Sequence, residues 1–281
     1  MKVIDFRFRP STPEAVKGML TPGTVFYPMC EYFNYAARAK PEPIETIVEH
    51  MKDSNVVKGC VIGRDVETTN GAQSSNPGIL DLMKQYPDRF VGFAGLDPHK
   101  GMDAVAELNR RVTKDGFSGA AIDPYMARIP ADHARYYPIY AKCCELGVPI
   151  VITTGPATLV QDAVMDDASP KHIDRVACDF PDLKIIMSHG GYPYVNEAIM
   201  VVQRNRNVYM DLAEYEQQPF SEKYFEAVNT ILSDKILFAS AAPYMDFQEQ
   251  IALYCNTLPI KPEVLENVMY KNAARLLGLE K

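Results

Sequence analysis

The sequence predicts an α/β protein built as a single (β/α)8 TIM barrel spanning residues 1–281. Three observations predict it. Short apolar runs of strand length occur eight times along the chain, and helical patterns separate them in strict alternation. The runs are short and mostly apolar, as parallel strands covered by helices are. Alternation of this kind over roughly 250 residues favours a closed barrel, with a doubly wound sheet as the alternative. The composition, 47% hydrophobic and 23% charged, is that of a globular chain able to bury a core without staples.

The elements follow in order. MKVIDFRFRP alternates Ile4, Phe6 and Phe8 with Asp5, Arg7 and Arg9, so a strand there has one apolar face and one carrying a carboxylate and two guanidiniums. Residues 10–43 form a Pro- and Tyr-rich loop insertion, longer than a simple connection needs. PIETIVEHM sets Ile44, Ile47, Val48 and Met51 on one helical stripe, and NVVKGCVIG is the second strand. NPGILDLMKQYPDRF is a helix stopped by Pro87, followed by the strand FVGFAGLD. MDAVAELNRRVTKDG ends near Gly116 and leads into FSGAAIDPY, and HARYYPIYAKCCELG ends at Gly147 before VPIVITTG. SPKHIDRVACDFP opens with Ser169 as N-cap and Pro170 at the first helical position. LKIIMSHGG, NVYMDLAEY and KILFASAAP are the last strands, separated by the helices PYVNEAIMVVQRN and SEKYFEAVNTIL, and PEVLENVMYKNAARLLGL closes the chain.

Charge and motifs narrow the function. A net charge of −7 argues against a general nucleic-acid or membrane surface. The cysteines, Cys30, Cys60, Cys143, Cys144, Cys178 and Cys255, show no CxxC spacing and read as reduced, mostly buried thiols. No apolar leader stands at the N-terminus, and no apolar run has the ~18 residues of a membrane span. The expected location is the cytoplasm. Neither a Gly-rich phosphate loop, a dinucleotide fingerprint nor a GxSxG elbow is present.

In such a barrel the chemistry sits at the C-terminal strand ends. The polar residues there are Asp5, Arg7 and Arg9 on strand 1, Arg64 on strand 2, Asp97 and His99 on strand 3, and Asp123 and Tyr125 on strand 4. Thr153 and Thr154 follow on strand 5, Ser188 and His189 on strand 6, Asp211 and Glu214 on strand 7, and Ser240 with Tyr244 on strand 8.

NPGILDLMKQYPDRFVGFAGLDP, LGVPIVITTG, SHGGYPYVNEA, FASAAP and YKNAARLLGL resemble the amidohydrolase-related barrel proteins, a group similar to aminocarboxymuconate-semialdehyde decarboxylase, resorcylate decarboxylases and pyrone-dicarboxylate lactonase. The resemblance runs from the first strand to the last helix and implies a barrel acting on small, often aromatic-derived carboxylates. It also implies metal ligands: His-x-His on strand 1, a histidine ending strand 5, another ending strand 6, and an aspartate ending strand 8. Here those positions hold Arg7 and Arg9, Thr153, His189 and Ala241. Only His189 matches. A catalytic zinc takes about three protein ligands, and of the other histidines His50, His133 and His172 fall in or beside helices, with His99 the remaining one. The expectation is therefore no metal and no other cofactor.

Guanidinium groups carry a permanent charge and a planar fork of donors that matches a carboxylate. Arg7 and Arg9 are expected to bind a substrate carboxylate or an oxyanion, assisted by Arg64; an Asp5–Arg7 ion pair is the structural alternative for Arg7. His189, before Gly190 and Gly191, is the first candidate for general acid/base work. Asp123 or Asp211 is its proton-transfer partner or an arginine partner. Tyr125, Tyr192, Tyr244 and Thr154 are candidate substrate-binding residues, and the tyrosines of residues 22–35 a candidate lid. Function is expected to be metal-independent hydrolysis of a small carboxylate-bearing substrate, a lactone or an aromatic-derived acid. Decarboxylation of an aromatic or enol acid is the alternative, and a non-catalytic ligand-binding barrel the second. The expected partner is a small organic acid, with a homodimer allowed.

Overall fold

The computed structural model describes residues 1–155, 160 and 162–280. Eight parallel strands pair in sequence order: β1 Val3–Asp5, β2 Val56–Ile62, β3 Phe90–Gly95, β4 Gly119–Ile122, β5 Ile150–Thr153, β6 Ile185–Ser188, β7 Val208–Asp211 and β8 Ile236–Leu237. The ring closes just past the regular ends of β1 and β8. Phe6 N donates to Phe238 O at 2.8 Å, Arg9 N donates to Ala242 O at 3.1 Å, and Phe8 bridges Ala242 in parallel.

Strand period two sorts the side chains into two layers. Ile4, Phe6, Cys60, Ile62, Phe93, Ala121, Val151, Ile186 and Leu237 form one cluster drawn from strands all round the ring, which is the barrel interior. The intervening Val61, Ala94, Ile122, Ile152, Met187 and Met210 pack outward against the helices. The predicted stripe of helix Ile44–Asp53 buries Ile47, Val48 and Met51 in that outer layer. Gly147 ends helix Tyr137–Leu146 at φ 67°, a left-handed cap that suits a residue without Cβ. Ser169 sits at the N-cap of helix Pro170–Asp179 in extended backbone, but its side chain makes no capping bond.

Two expectations are corrected. The alternation of β1 ends at Asp5, where the chain bends. Ile4 and Phe6 face the barrel interior, while Phe8 turns to the outer layer and meets Phe247 at 5.2 Å between ring centroids. The 10–43 segment is more ordered than a loop, with short helices at Pro13–Met19, Tyr27–Tyr32 and Tyr35–Arg38. Thr12 caps the first of these by accepting from Ala15 N. The segment is pinned to the end of β8 by buried Tyr35, whose hydroxyl donates to Pro243 O at 2.8 Å.

Among the described residues no helix is long and apolar enough to cross a membrane. The cysteines are free thiols; Cys30, Cys60 and Cys143 are buried, Cys144 is half-buried, and Cys178 and Cys255 are exposed.

Candidate active site

The barrel mouth has a cationic side built by β1 and β2. Arg7 is buried and reaches across the ring, its Nη1 donating to Ser188 Oγ at 2.8 Å. Arg9 donates from Nε and Nη2 to Ile62 O, at 3.2 and 2.8 Å. Arg64, after β2, donates from Nε to Asp123 Oδ2 at 2.8 Å and lies over the Phe26 ring, 4.6 Å from its centroid. The Asp5–Arg7 ion pair is not what Asp5 makes: its Oδ1 accepts from the backbone N–H of Arg7 at 3.1 Å and of Ser240 at 2.9 Å, which clamps β1 to β8.

These guanidiniums feel one another. Burial pushes Arg7 below the usual arginine range, opposed by Asp211 and helped by Arg64. Burial, then Arg64 and Arg7, push Arg9 down to about 9, which leaves it a cation at neutral pH. Burial also works against Arg64, but Asp123 and Tyr125 outweigh it and hold its pKa above the ordinary value.

The opposite side is built by β6 and β7. His189 leaves β6 with φ 68°, a left-handed conformation that is costly for a residue with a Cβ. Its Nδ1 stands 2.8 Å from Ala213 O. Asp211 is fully buried below it; Oδ1 accepts from Ser188 Oγ and His189 N, each at 3.1 Å, and Oδ2 has no partner. Burial first, against the pull of Arg7, raises Asp211 to about 6. Asp211 therefore holds His189 and Ser188 in place from beneath the mouth. Thr154 has a similar duty: its hydroxyl donates to Ser188 O and accepts from Gly191 N at 2.9 Å. Both roles are spent within the fold, so Thr154 shapes the turn behind His189 and does not join the ring of groups round the opening.

The aromatic candidates separate. Tyr125 is buried with Val66, Met126 and Ala168 under the β4 end, near enough to act on Arg64. Tyr192 is half-buried and stacks on Tyr215 at 4.8 Å, and Tyr215 in turn meets the His189 ring edge-on at 5.6 Å. Tyr244 lies half-buried after β8, packed on Tyr35 at 5.5 Å and within electrostatic reach of Arg64, Glu214 and Arg9. A cavity of about 550 Å³ opens beside Arg9 and Arg64, walled by Met19, Val25 and Phe26 of the 10–43 segment and by Val66 and Ala72.

Other expected residues fall elsewhere. Asp97 is used by the backbone of His99 and Thr68, and His99 Nε2 meets Ala127 O at 2.7 Å. His172 is largely buried and pairs with Asp132 at 2.9 Å, while His50 pairs with Glu42 at 3.1 Å. Glu214, counted among the strand-7 polar residues but not selected, is the one the structure adds. Its carboxylate lies 3.6 Å from His189 Nδ1 with a third of the side chain open to the mouth. Its position three residues after Asp211, past the end of β7, was the available signal.

The metal implied by the resemblance does not fit this site. Arg7, Arg9, Thr153 and Ala241 stand where the resemblance implies ligands, leaving only His189 of that implied set. Among the described residues no group of three His, Cys, Asp or Glu side chains is arranged to hold a metal ion. A guanidinium has no lone pair to donate and repels a cation.

An eight-stranded parallel barrel with cations, carboxyls and a strained histidine gathered at its C-terminal rim defines a (β/α)8-barrel enzyme. The chain belongs to the amidohydrolase family, whose model matches residues 34–279. The solved structure of an uncharacterized TIM-barrel protein, Bb4693 from Bordetella bronchiseptica, superposes with a TM-score of 0.83 at 29% identity, covering 99% of each chain. A dihydroxybenzoic acid decarboxylase from Polaromonas sp. JS666, solved with bound manganese and the inhibitor 2-nitroresorcinol, shares the fold at a TM-score of 0.64 and 20% identity, over 86% of this chain and 87% of that one. The decarboxylase orsB of Emericella nidulans is 35% identical over 95 residues, and the match spans 34% of this chain and 26% of that protein.

Proposed function

We propose that the protein is a carbon–carbon lyase that decarboxylates a small aromatic or enol carboxylic acid, with arginines in place of the metal. The observation that carries this is the convergence of Arg7, Arg9 and Arg64 on one side of the mouth, with Arg7 and Arg9 at the strand-1 positions where the resemblance implies metal ligands. Hydrolysis, the first expectation from the sequence, gives way to decarboxylation because the solved relative from Polaromonas and the fungal relative are both named as decarboxylases.

Arg7 and Arg9 take the substrate carboxylate and the neighbouring phenol or enol oxygen. As CO2 leaves, charge moves from the carboxylate into the ring or enol system, so a fixed cation beside that oxygen stabilises the transition state more than the ground state. The cavity under the 10–43 segment receives the apolar body of the acid.

The test is an incubation of chelator-dialysed protein with a panel of hydroxybenzoic acids, enol acids and lactones, following CO2 release and product by NMR. The expected result is CO2 release from at least one acid. Lactone opening without CO2 release contradicts the reading, as does failure to turn over any acid. Arg7→Met and Arg9→Met are each expected to weaken binding of that acid by about 10- to 100-fold, the worth of one charge-assisted hydrogen bond.

A further inference from the structure

Decarboxylation needs a proton delivered to the carbon that loses CO2, and His189 is not equipped to deliver it. The Ala213 carbonyl beside Nδ1 only accepts, so Nδ1 carries the hydrogen and Nε2 is left with a lone pair. Burial, then Arg7, with Arg64 and Arg9 adding to it, hold the ring well below the usual histidine range and therefore neutral. Such an imidazole accepts a proton or a hydrogen bond at Nε2; it does not donate there.

The carboxyls divide by geometry. Asp211 is sealed beneath the mouth. Asp123 is committed to Arg64. Glu216 is buried with its Oε1 accepting from the Tyr254 hydroxyl at 2.8 Å. Glu214 alone of these keeps a third of its side chain open while facing the arginines, and the chain holds it there in the left-handed region, at φ 70°.

We infer that Glu214 is the proton donor of the reaction, with the Nδ1–H edge of His189 beside it and His189 Nε2 left as a hydrogen-bond acceptor. This rests on the decarboxylase reading. The groups that face Glu214 are Arg7 and Arg9 from β1, Arg64 after β2, Arg38 from helix Tyr35–Arg38, His189 after β6 and Tyr244 after β8, with Tyr215 and Glu216 next to it in the chain. Burial of the rest of the side chain raises its carboxyl to about 7, against the pull of Arg7, Arg38, Arg64 and Arg9. In the step, the ring or enol system, pushed by its oxygen, gives an electron pair from the carbon bearing the carboxylate to the Glu214 proton, and the carboxyl O–H bond breaks. The bond from that carbon to the carboxylate then breaks, its electron pair returns to the ring or enol system, and CO2 departs. Glu214 is left as a carboxylate and takes its next proton from solvent.

The experiment compares pH profiles of kcat for the wild type, Glu214→Gln, Glu214→Asp and His189→Gln on whichever acid the wild type decarboxylates, with each Kd measured separately. The donor must be protonated, so wild-type kcat is expected to fall as pH rises through about 7. Glu214→Gln is expected to lose about 10²–10⁴-fold in kcat and to abolish that alkaline limb, with Kd changed less than threefold, and Glu214→Asp to restore part of the rate. If Glu214→Gln keeps the rate and the limb while the wild type decarboxylates, the donor assignment is overturned and the lyase reading stands. If His189→Gln alone removes the limb, His189 is the donor. If the wild type decarboxylates nothing, the lyase reading fails and takes the donor assignment with it.

Discussion

The two halves of the barrel mouth are built in opposite ways. The β1–β2 half is cationic and anchored by direct bonds: Arg9 to Ile62 O, Arg64 to Asp123, and Arg7 across the ring to Ser188. The β6–β7 half carries titratable groups in strained backbone, with His189 at φ 68° and Glu214 at φ 70°, and it is supported from below by Asp211 and Thr154. The first half holds fixed charge and suits binding; the second shifts protonation equilibria and suits proton movement. Arg7 and Ser188 join them, so a change on one side is felt on the other.

That contrast breaks most sharply at the Arg64–Asp123 pair, whose side chains are 14% and 5% exposed. Arg64→Met leaves the Asp123 carboxylate buried without its cation and is expected to cost about 3–5 kcal/mol by denaturant unfolding. Adding Asp123→Asn should recover much of the loss; a double variant no more stable than Arg64→Met would show that the pair is not the source. On the other half, Gly155→Ala places a Cβ 2.6 Å from the His189 Cβ at a position with φ 61°. The expected loss is about 1–3 kcal/mol, with shifted His189 ring resonances in the NMR spectrum. Unmoved resonances would mean that the turn does not set the ring.

A smaller effect separates Asp211 from the groups above it. Its carboxyl is raised from 3.8 to about 6 in the fold. A raised acid binds its proton more tightly when folded, so its contribution is full below pH 3.8 and is lost as pH rises through 6. The wild type should therefore gain on Asp211→Asn by about 1–2 kcal/mol between pH 7 and pH 5. A stability gap that does not change with pH would place the proton elsewhere.

Much of the frame was legible because it is local. Apolar runs, the Ile47–Val48–Met51 stripe and the Gly147 stop each depend on a few neighbouring residues. The arginines could be read as functional for the same reason, since strand 1 places them near the mouth whatever their partners. What could not be read depends on closure of the ring. Ser188 lies 181 positions from Arg7, and Ser240 lies 235 from Asp5, yet each pair is hydrogen-bonded. Asp5 looked like an ion-pair partner for Arg7 until those long-range bonds assigned it to the backbone. Glu214 escaped selection because its approach to His189 depends on a left-handed turn that a non-glycine sequence does not announce.

The central claim is that guanidinium groups, and not a metal, hold the substrate carboxylate. The most direct test is calorimetric titration of chelator-dialysed protein with a dihydroxybenzoic acid, with metal content measured on the same sample. The account predicts saturable binding with metal well below one ion per chain, and its loss in the Arg7→Met, Arg9→Met double variant. Binding that appears only when manganese or zinc is restored, or that survives removal of both arginines, would contradict it.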